Sequence, residues 1–219
     1  MDIGKTLNES FDYAKDAVWE KWVRWLLLII SSIIFPLILG YELEVYRGKK
    51  PAPELTDWVR LFIDGIKLFV IQIIYAIPTL IVLFLSIGAA VLAVTSPTQA
   101  MALWGSFAIG ILITLIVAFI TGLFAAMGAV RFARTGRMGE AFNFSAITDR
   151  IGKIGWGSYI LALIVVYVVA GIIAFILSLI PFISWLLLLI VAPPLAIFMA
   201  RYITLVYDSV PEAAAPPAA

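Results

Sequence analysis

Long apolar runs and short charged stretches alternate along this chain, and several of the charged stretches carry apolar residues at helical spacing. The apolar runs are residues 25–40, 68–95, 102–130, 158–180 and 185–206, uncharged except for Arg201 near the end of the last. A helix needs about 20 apolar residues to cross a bilayer, so the last four runs are long enough and the first is short. Ahead of the first run, Ile3, Leu7, Phe11, Ala14, Val18 and Trp22 recur at steps of three or four and share one helical face. Thr6 and Glu9 have the spacing of a capping box, which places the regular helix start at Thr6. Trp19, Trp22 and Trp25 then cluster where the apolar run begins, as aromatic residues do at a membrane interface.

The same device recurs between Pro53 and Leu85. Leu55, Trp58, Val59, Phe62, Ile63 and Ile66 make an apolar stripe, and Asp57, Arg60, Asp64 and Lys67 alternate in sign opposite it. Helical ion pairs contribute only about 0.2–0.5 kcal/mol each, so the stripe decides where this helix lies. Phe144, Ile147, Ile151 and Ile154 repeat the pattern before the fourth run. The pattern predicts an all-α, polytopic helical membrane protein with about five transmembrane segments. Amphipathic interfacial helices are expected near 3–22, 54–67 and 143–156. Residues 1–207 read as a single integral membrane domain, and 208–219 as a disordered, low-complexity tail.

Prolines and small residues refine the runs. Run 25–40 contains Pro36 and leaves two readings open. Either it crosses, with the N-terminus outside, or it dips in and returns around Pro36. Pro78 and Pro193-Pro194 sit inside other runs, where neighbouring helices can satisfy the freed carbonyls. Thr121, Gly122, Ala125, Ala126, Gly128 and Ala129 line the end of the third run and suit close helix packing, first within the chain and second between copies.

Composition supports membrane as the solvent. The chain of 219 residues is 63% hydrophobic and 13% charged, against roughly 45–50% and about 25% in soluble domains. A net charge of +1 gives no field for nucleic acid. His and Cys are both 0, which removes imidazole and thiol catalysis, disulfides and the common zinc and haem ligands. No cofactor or metal is expected. The mixed charges of residues 1–24 do not read as a cleavable signal peptide. Gly152, Gly155 and Gly157 have the wrong order for a dinucleotide loop, no strand precedes them, and a hydrophobic span follows.

Charge orients the chain. One basic connection carries Arg47, Lys49, Lys50, Arg60 and Lys67, and another carries Arg131, Arg134, Arg137, Arg150 and Lys153. The connections SPTQAM and PFIS are uncharged. The positive-inside rule puts both basic loops and the C-terminus in the cytoplasm of a multi-pass plasma-membrane protein. An internal repeat is also suggested. Gly40 and Gly48 bracket seven residues, as Gly128 and Gly136 do, and an Asp–Gly–Lys cluster and an apolar hairpin come after each pair.

These stretches resemble the DUF4013 family, a group of mostly archaeal, multi-spanning membrane proteins of unknown function. The resemblance rests on GYELEVYRG (40–48), LFIDGIKLFVIQIIYAIP (61–78), RFARTGRMGEAFNF (131–144) and IGWGSY (154–159). It marks Gly40, Tyr41, Gly48, Asp64, Gly65, Tyr75, Pro78, Gly128 and Gly136 as family-motif structural residues, and it implies no chemistry. The paired hairpins with interfacial helices are also similar in architecture to the membrane domain attached to some bacterial glycerophosphodiesterases, whose catalytic part has no counterpart here.

The function expected is a non-enzymatic membrane scaffold or a lipid- or protein-interacting protein. Arg131, Arg134 and Arg137, with Lys49 and Lys50, are the candidates for anionic headgroup contact at about 1 kcal/mol each, unless they only fix topology. Membrane lipids, and a second copy or another membrane protein, are the expected partners. An uncoupled transporter or permease for an apolar or amphipathic solute is the alternative. Ion coupling is disfavoured because the central parts of the later runs hold no ionisable groups beyond tyrosine. Asp64, Glu140 and Asp149 lie at no diagnostic spacing and have basic neighbours, so no catalytic residue is assigned.

Overall fold

The computed structural model of the protein describes residues 2–92 and 100–211. These residues form eight α-helices and no strand: α1 (Ile3–Val18), α2 (Trp22–Ile33), α3 (Phe35–Tyr46), α4 (Trp58–Leu92), α5 (Ala100–Thr135), α6 (Phe144–Ile154), α7 (Trp156–Ser178) and α8 (Ser184–Tyr207), with a 3-10 turn at Met138–Phe142. Helices α4, α5, α7 and α8 are long and apolar enough to cross a membrane. The chain is a polytopic helical membrane protein. Most of the SPTQAM connection and the tail from residue 212 lie outside the described residues.

Two compact units are present, Met1–Phe69 with Met127–Ala219, and Val70–Ala126. In the first, α1 lies along α8 and buries Ser10, Tyr13, Ala14, Ala17 and Val18. The expected apolar stripe is offset from this face: Ala14 and Val18 are buried, whereas Phe11 and Trp22 are 62% and 65% exposed. Helix α1 starts three residues before Thr6. The Asp2 carboxylate accepts from the Lys5 amide at 3.0 Å, and the Thr6 hydroxyl donates back to the Asp2 carbonyl, so aspartate is the cap.

Run 25–40 is two helices, not one. The chain leaves helical geometry at Ile34 (φ −92°, ψ 72°), because Pro36 has no N–H for the Ser32 carbonyl and its ring would clash there, so it fits only the first turn of a new helix. At 12 residues, α2 is about 18 Å long, well short of a span. The two ends of the α2–α3 hairpin lie together, since α1 on one side touches residues 49 and 50 on the other. The Tyr13 hydroxyl donates to the Lys49 carbonyl at 2.8 Å, Glu9 pairs with Lys50, and Arg24 pairs with Glu54.

Where the pattern suggested a separate helix at 54–67 followed by a span, α4 runs unbroken for 35 residues. Nothing between Trp58 and Leu68 can stop it, since Gly65 alone costs only about 1 kcal/mol. Its faces are also reversed from soluble-protein expectation. Val59, Phe62, Ile63 and Ile66 are 41–71% exposed, while Leu61, Asp64 and Leu68 are buried. Lipid solvates apolar side chains as well as a core does, so small and polar groups turn inward to find partners. The inward face crosses α3 at two glycines. A Cβ on Gly65 would stand 1.7 Å from the Pro36 carbonyl oxygen, and one on Gly40 would stand 1.9 Å from that of Leu61. Phe35 packs edge-on against Phe69, with ring centroids 4.6 Å apart, close to this crossing.

Gly48 and Gly136 terminate α3 and α5 in the left-handed region, at φ +80° and +69°. A third such glycine, Gly155 (φ +93°), separates α6 from α7, a break that α4 lacks. In the second unit, the Thr79 and Thr121 hydroxyls meet at 3.3 Å. Gly110 approaches the Ser86 side chain there, since a Cβ would lie 2.6 Å from it. Gly122, expected at a close contact, has open space where its Cβ would be.

Candidate functional site

Two features of the first unit hold chemistry: a polar cluster at helix ends and an apolar groove. The cluster forms around Glu44, which is 5% exposed. Its carboxylate takes Arg47 and Lys49 as partners, and Arg60 at 3.2 Å. Asp64 accepts from Arg47 at 2.7 Å and Lys67 at 3.3 Å. The charge ladder of the sequence is thus an inward network that ties α3 to α4. A second set caps helices. Arg134 lies over Gly48, where a side chain would collide with its guanidinium at 2.8 Å. From there it donates to the Tyr46 carbonyl at 2.9 Å and pairs with Asp208 at 2.7 Å. Arg150, 7% exposed, donates to the Tyr207 carbonyl at 3.0 Å with its guanidinium 4.2 Å from the Tyr207 ring. Arginine suits both places because the last carbonyls of a helix lack partners and carry negative partial charge.

The structure places every candidate headgroup residue in an internal pair. Arg131 pairs with Glu140, Arg134 with Asp208, Lys49 with Glu44 and Lys50 with Glu9. Arg137 also reaches Glu140, at 3.2 Å, but its side chain is 75% exposed. The Arg131 guanidinium beside Glu140, helped by Asn143 and Arg137, holds its carboxyl below the usual carboxylate range. The motif residues divide by role. Gly40 and Gly65 make the crossing, while Gly48 and Gly136 end helices. Tyr41 is fully buried and donates to the Pro53 carbonyl at 3.0 Å. Asp64 anchors the network, Gly128 is buried in α5, Tyr75 is buried, and Pro78 lies within α4.

The groove has a volume of about 510 Å³ and is walled by α1, α2, α7 and α8. Leu7, Phe11, Trp25, Val169, Val191 and Leu195 line it, with Asn8 and Lys15 as its polar members. Pro194, inside α8, is also among its lining residues. Pro194 has no N–H to give the Ile190 carbonyl, and the Trp25 indole N–H donates to that oxygen instead, at 3.0 Å. The tryptophan thereby satisfies the carbonyl that the proline frees and forms one wall. Another partnership joins distant parts: Glu9 and the buried Arg201 meet at 2.9 Å, with that guanidinium 5.0 Å over the Tyr13 ring. Burial pushes the Tyr13 phenol up to about 12, so it remains a donor. Sequence reasoning missed Glu9, Arg201, Arg150 and the groove, since nothing local in the chain marks residues nearly 200 positions apart as neighbours.

Among the described residues, no group of three or more Asp or Glu side chains could hold a metal ion. No curated protein and no solved structure matches this chain. One family model does match, that of a protein of unknown function, over residues 25–182. That range covers most of the chain and takes in the α3–α4 crossing, Gly48, Gly136 and the helix-capping arginines, and the chain belongs to the DUF4013 family.

Proposed function

We propose that this chain is a non-enzymatic membrane protein that holds a lipid. The groove between α1, α7 and α8 carries the reading. Val169 and Ile173 lie in the middle of α7, a helix long enough to span, while Asn8 and Lys15 belong to the charged α1. The groove therefore leads from a polar rim to hydrocarbon depth, which is the shape of a lipid. Its volume falls within the roughly 300–1,000 Å³ usual for ligand pockets. Lys15 offers an ammonium used in no ion pair among the described residues. Native mass spectrometry of the detergent-purified protein tests this. The wild type is expected to retain one lipid adduct and a Val169→Trp/Val191→Trp variant to lose it. Equal adducts on both would overturn the groove as the holding site.

The lipid would be held beside a re-entrant α2–α3 hairpin. The contacts from α1 to residues 49 and 50 favour an N-terminus on the same face as the basic loops, and the positive-inside rule makes that face cytoplasmic. The matching glycine-ended helices before Gly48 and Gly136 support a duplicated unit, whose second copy broke at Gly155. Because the chain has no cysteine, an exposed Asp12→Cys variant gives labelling without background. It is expected to react with an impermeant thiol reagent only after permeabilisation, and labelling in intact cells would exclude the re-entrant hairpin.

A further inference from the structure

A second cavity, of about 480 Å³, opens at the start of α2, and Lys21, Trp22, Arg24 and Glu54 are among its lining residues. Three observations point to an anion there. Helix α2 has no side-chain cap at Lys21, so its first N–H groups face outward unsatisfied and the helix dipole favours negative charge. Arg24 is only 8% exposed, yet its Nε and Nη1 have no hydrogen-bond partner. A buried guanidinium left short of acceptors is costly, and most buried polar groups are satisfied. Its one partner, the Glu54 carboxylate, sits on a side chain that is 65% exposed and can move away without disturbing packing.

The surroundings say where the anion comes from. Trp22 stacks on Trp25 with ring centroids 5.6 Å apart, and Trp22, Val23 and Leu26 are 58–75% exposed on the same turns. Indoles and aliphatic side chains around a cationic pocket are the signature of the headgroup layer. Glu20 and Glu54 also line the cavity, so it is not an open basic patch. An incoming phosphate must displace Glu54 from Arg24.

We infer that this cavity binds the phosphate of an anionic membrane lipid, held by Arg24 and the N-terminus of α2, with Glu54 as the internal competitor. The site is separate from the groove. It rests on the chain being a membrane protein and not on the groove being filled.

The full-length protein in an uncharged maltoside detergent tests it, with Tm read during titration. Three probes are used: short-chain phosphatidylglycerol, a diacylglycerol with the same chains and no phosphate, and inorganic phosphate. Phosphatidylglycerol is expected to raise Tm in wild type, and the other two to leave it unchanged. Arg24→Gln should abolish the phosphatidylglycerol shift. Glu54→Gln, which removes the competing carboxylate and leaves the buried Arg24 free for the phosphate, should lower the half-saturating concentration by at least about threefold. Equal shifts with diacylglycerol, or a Glu54→Gln variant no more responsive than wild type, would overturn the site. A full shift with inorganic phosphate would overturn the lipid as its source. Loss of the groove adduct in Val169→Trp/Val191→Trp with an unchanged phosphatidylglycerol response would separate the two sites.

Discussion

Gly65→Ala is expected to be the most destructive single-methyl change in this protein. The added Cβ would stand 1.7 Å from the Pro36 carbonyl oxygen and 2.9 Å from the Gly40 nitrogen. Both are backbone atoms, so no side chain can rotate away and α3 must separate from α4. Overpacking a core costs typically 1–3 kcal/mol, and a backbone clash of this kind belongs at or above about 3 kcal/mol. Gly40→Ala, at 1.9 Å from the Leu61 oxygen, should behave alike. Gly171→Ala in α7 is the control, because nothing lies within 4 Å of its Cβ position. It should lose nothing and gain up to about 1 kcal/mol of helix propensity. Reversible unfolding in mixed micelles measures all three. A Gly65→Ala protein as stable as Gly171→Ala would mean that α3 and α4 do not cross at these glycines.

Glu9→Gln is expected to be next in effect. Arg201 is 2% exposed, and Glu9 is its ion-pair partner at 2.9 Å. Removing one side of a buried pair costs about 3–5 kcal/mol because the other charge stays behind without compensation. The Glu9 side chain is 37% exposed, and solvent screening brings the value toward the lower end. Replacing both partners should cost far less, since a buried pair exchanged for apolar groups is often nearly neutral. A Glu9→Gln/Arg201→Met variant is therefore expected to recover most of the loss. Denaturation of both singles and the double closes the cycle. Strict additivity would show that the pair does not hold α1 to α8.

These outcomes bear on how the chain is built. Its long apolar runs forced helices, because hydrocarbon offers no partner to a free N–H or C=O and only a helix satisfies its backbone within one segment. Gly48 and Gly136 stood out in the sequence as marks of a repeat, and the fold shows them ending α3 and α5 in the left-handed region, which favours glycine over any residue with a Cβ. Other local signals needed the fold to settle them. The stripe Val59, Phe62, Ile63 and Ile66 had a clear period, but period names a face and not what the face meets. In lipid the same stripe turns outward, and the Asp64–Gly65 side goes in.

By itself, the sequence determined the solvent of this protein, the helical type of its long runs, and the family to which it belongs. These come from composition, run length and short motifs, which are properties of neighbouring positions. The tertiary structure alone decided that the first apolar run folds back and that α1 docks on α8 through Glu9 and Arg201. It also decided that the Trp25 indole serves the carbonyl freed by Pro194, that Arg134 caps α3 while Arg131 and Arg137 pair with Glu140, and that Arg24 is buried with two guanidinium nitrogens unpartnered. Most of those depend on pairing between residues far apart in the chain, and such pairing leaves no pattern in a single sequence.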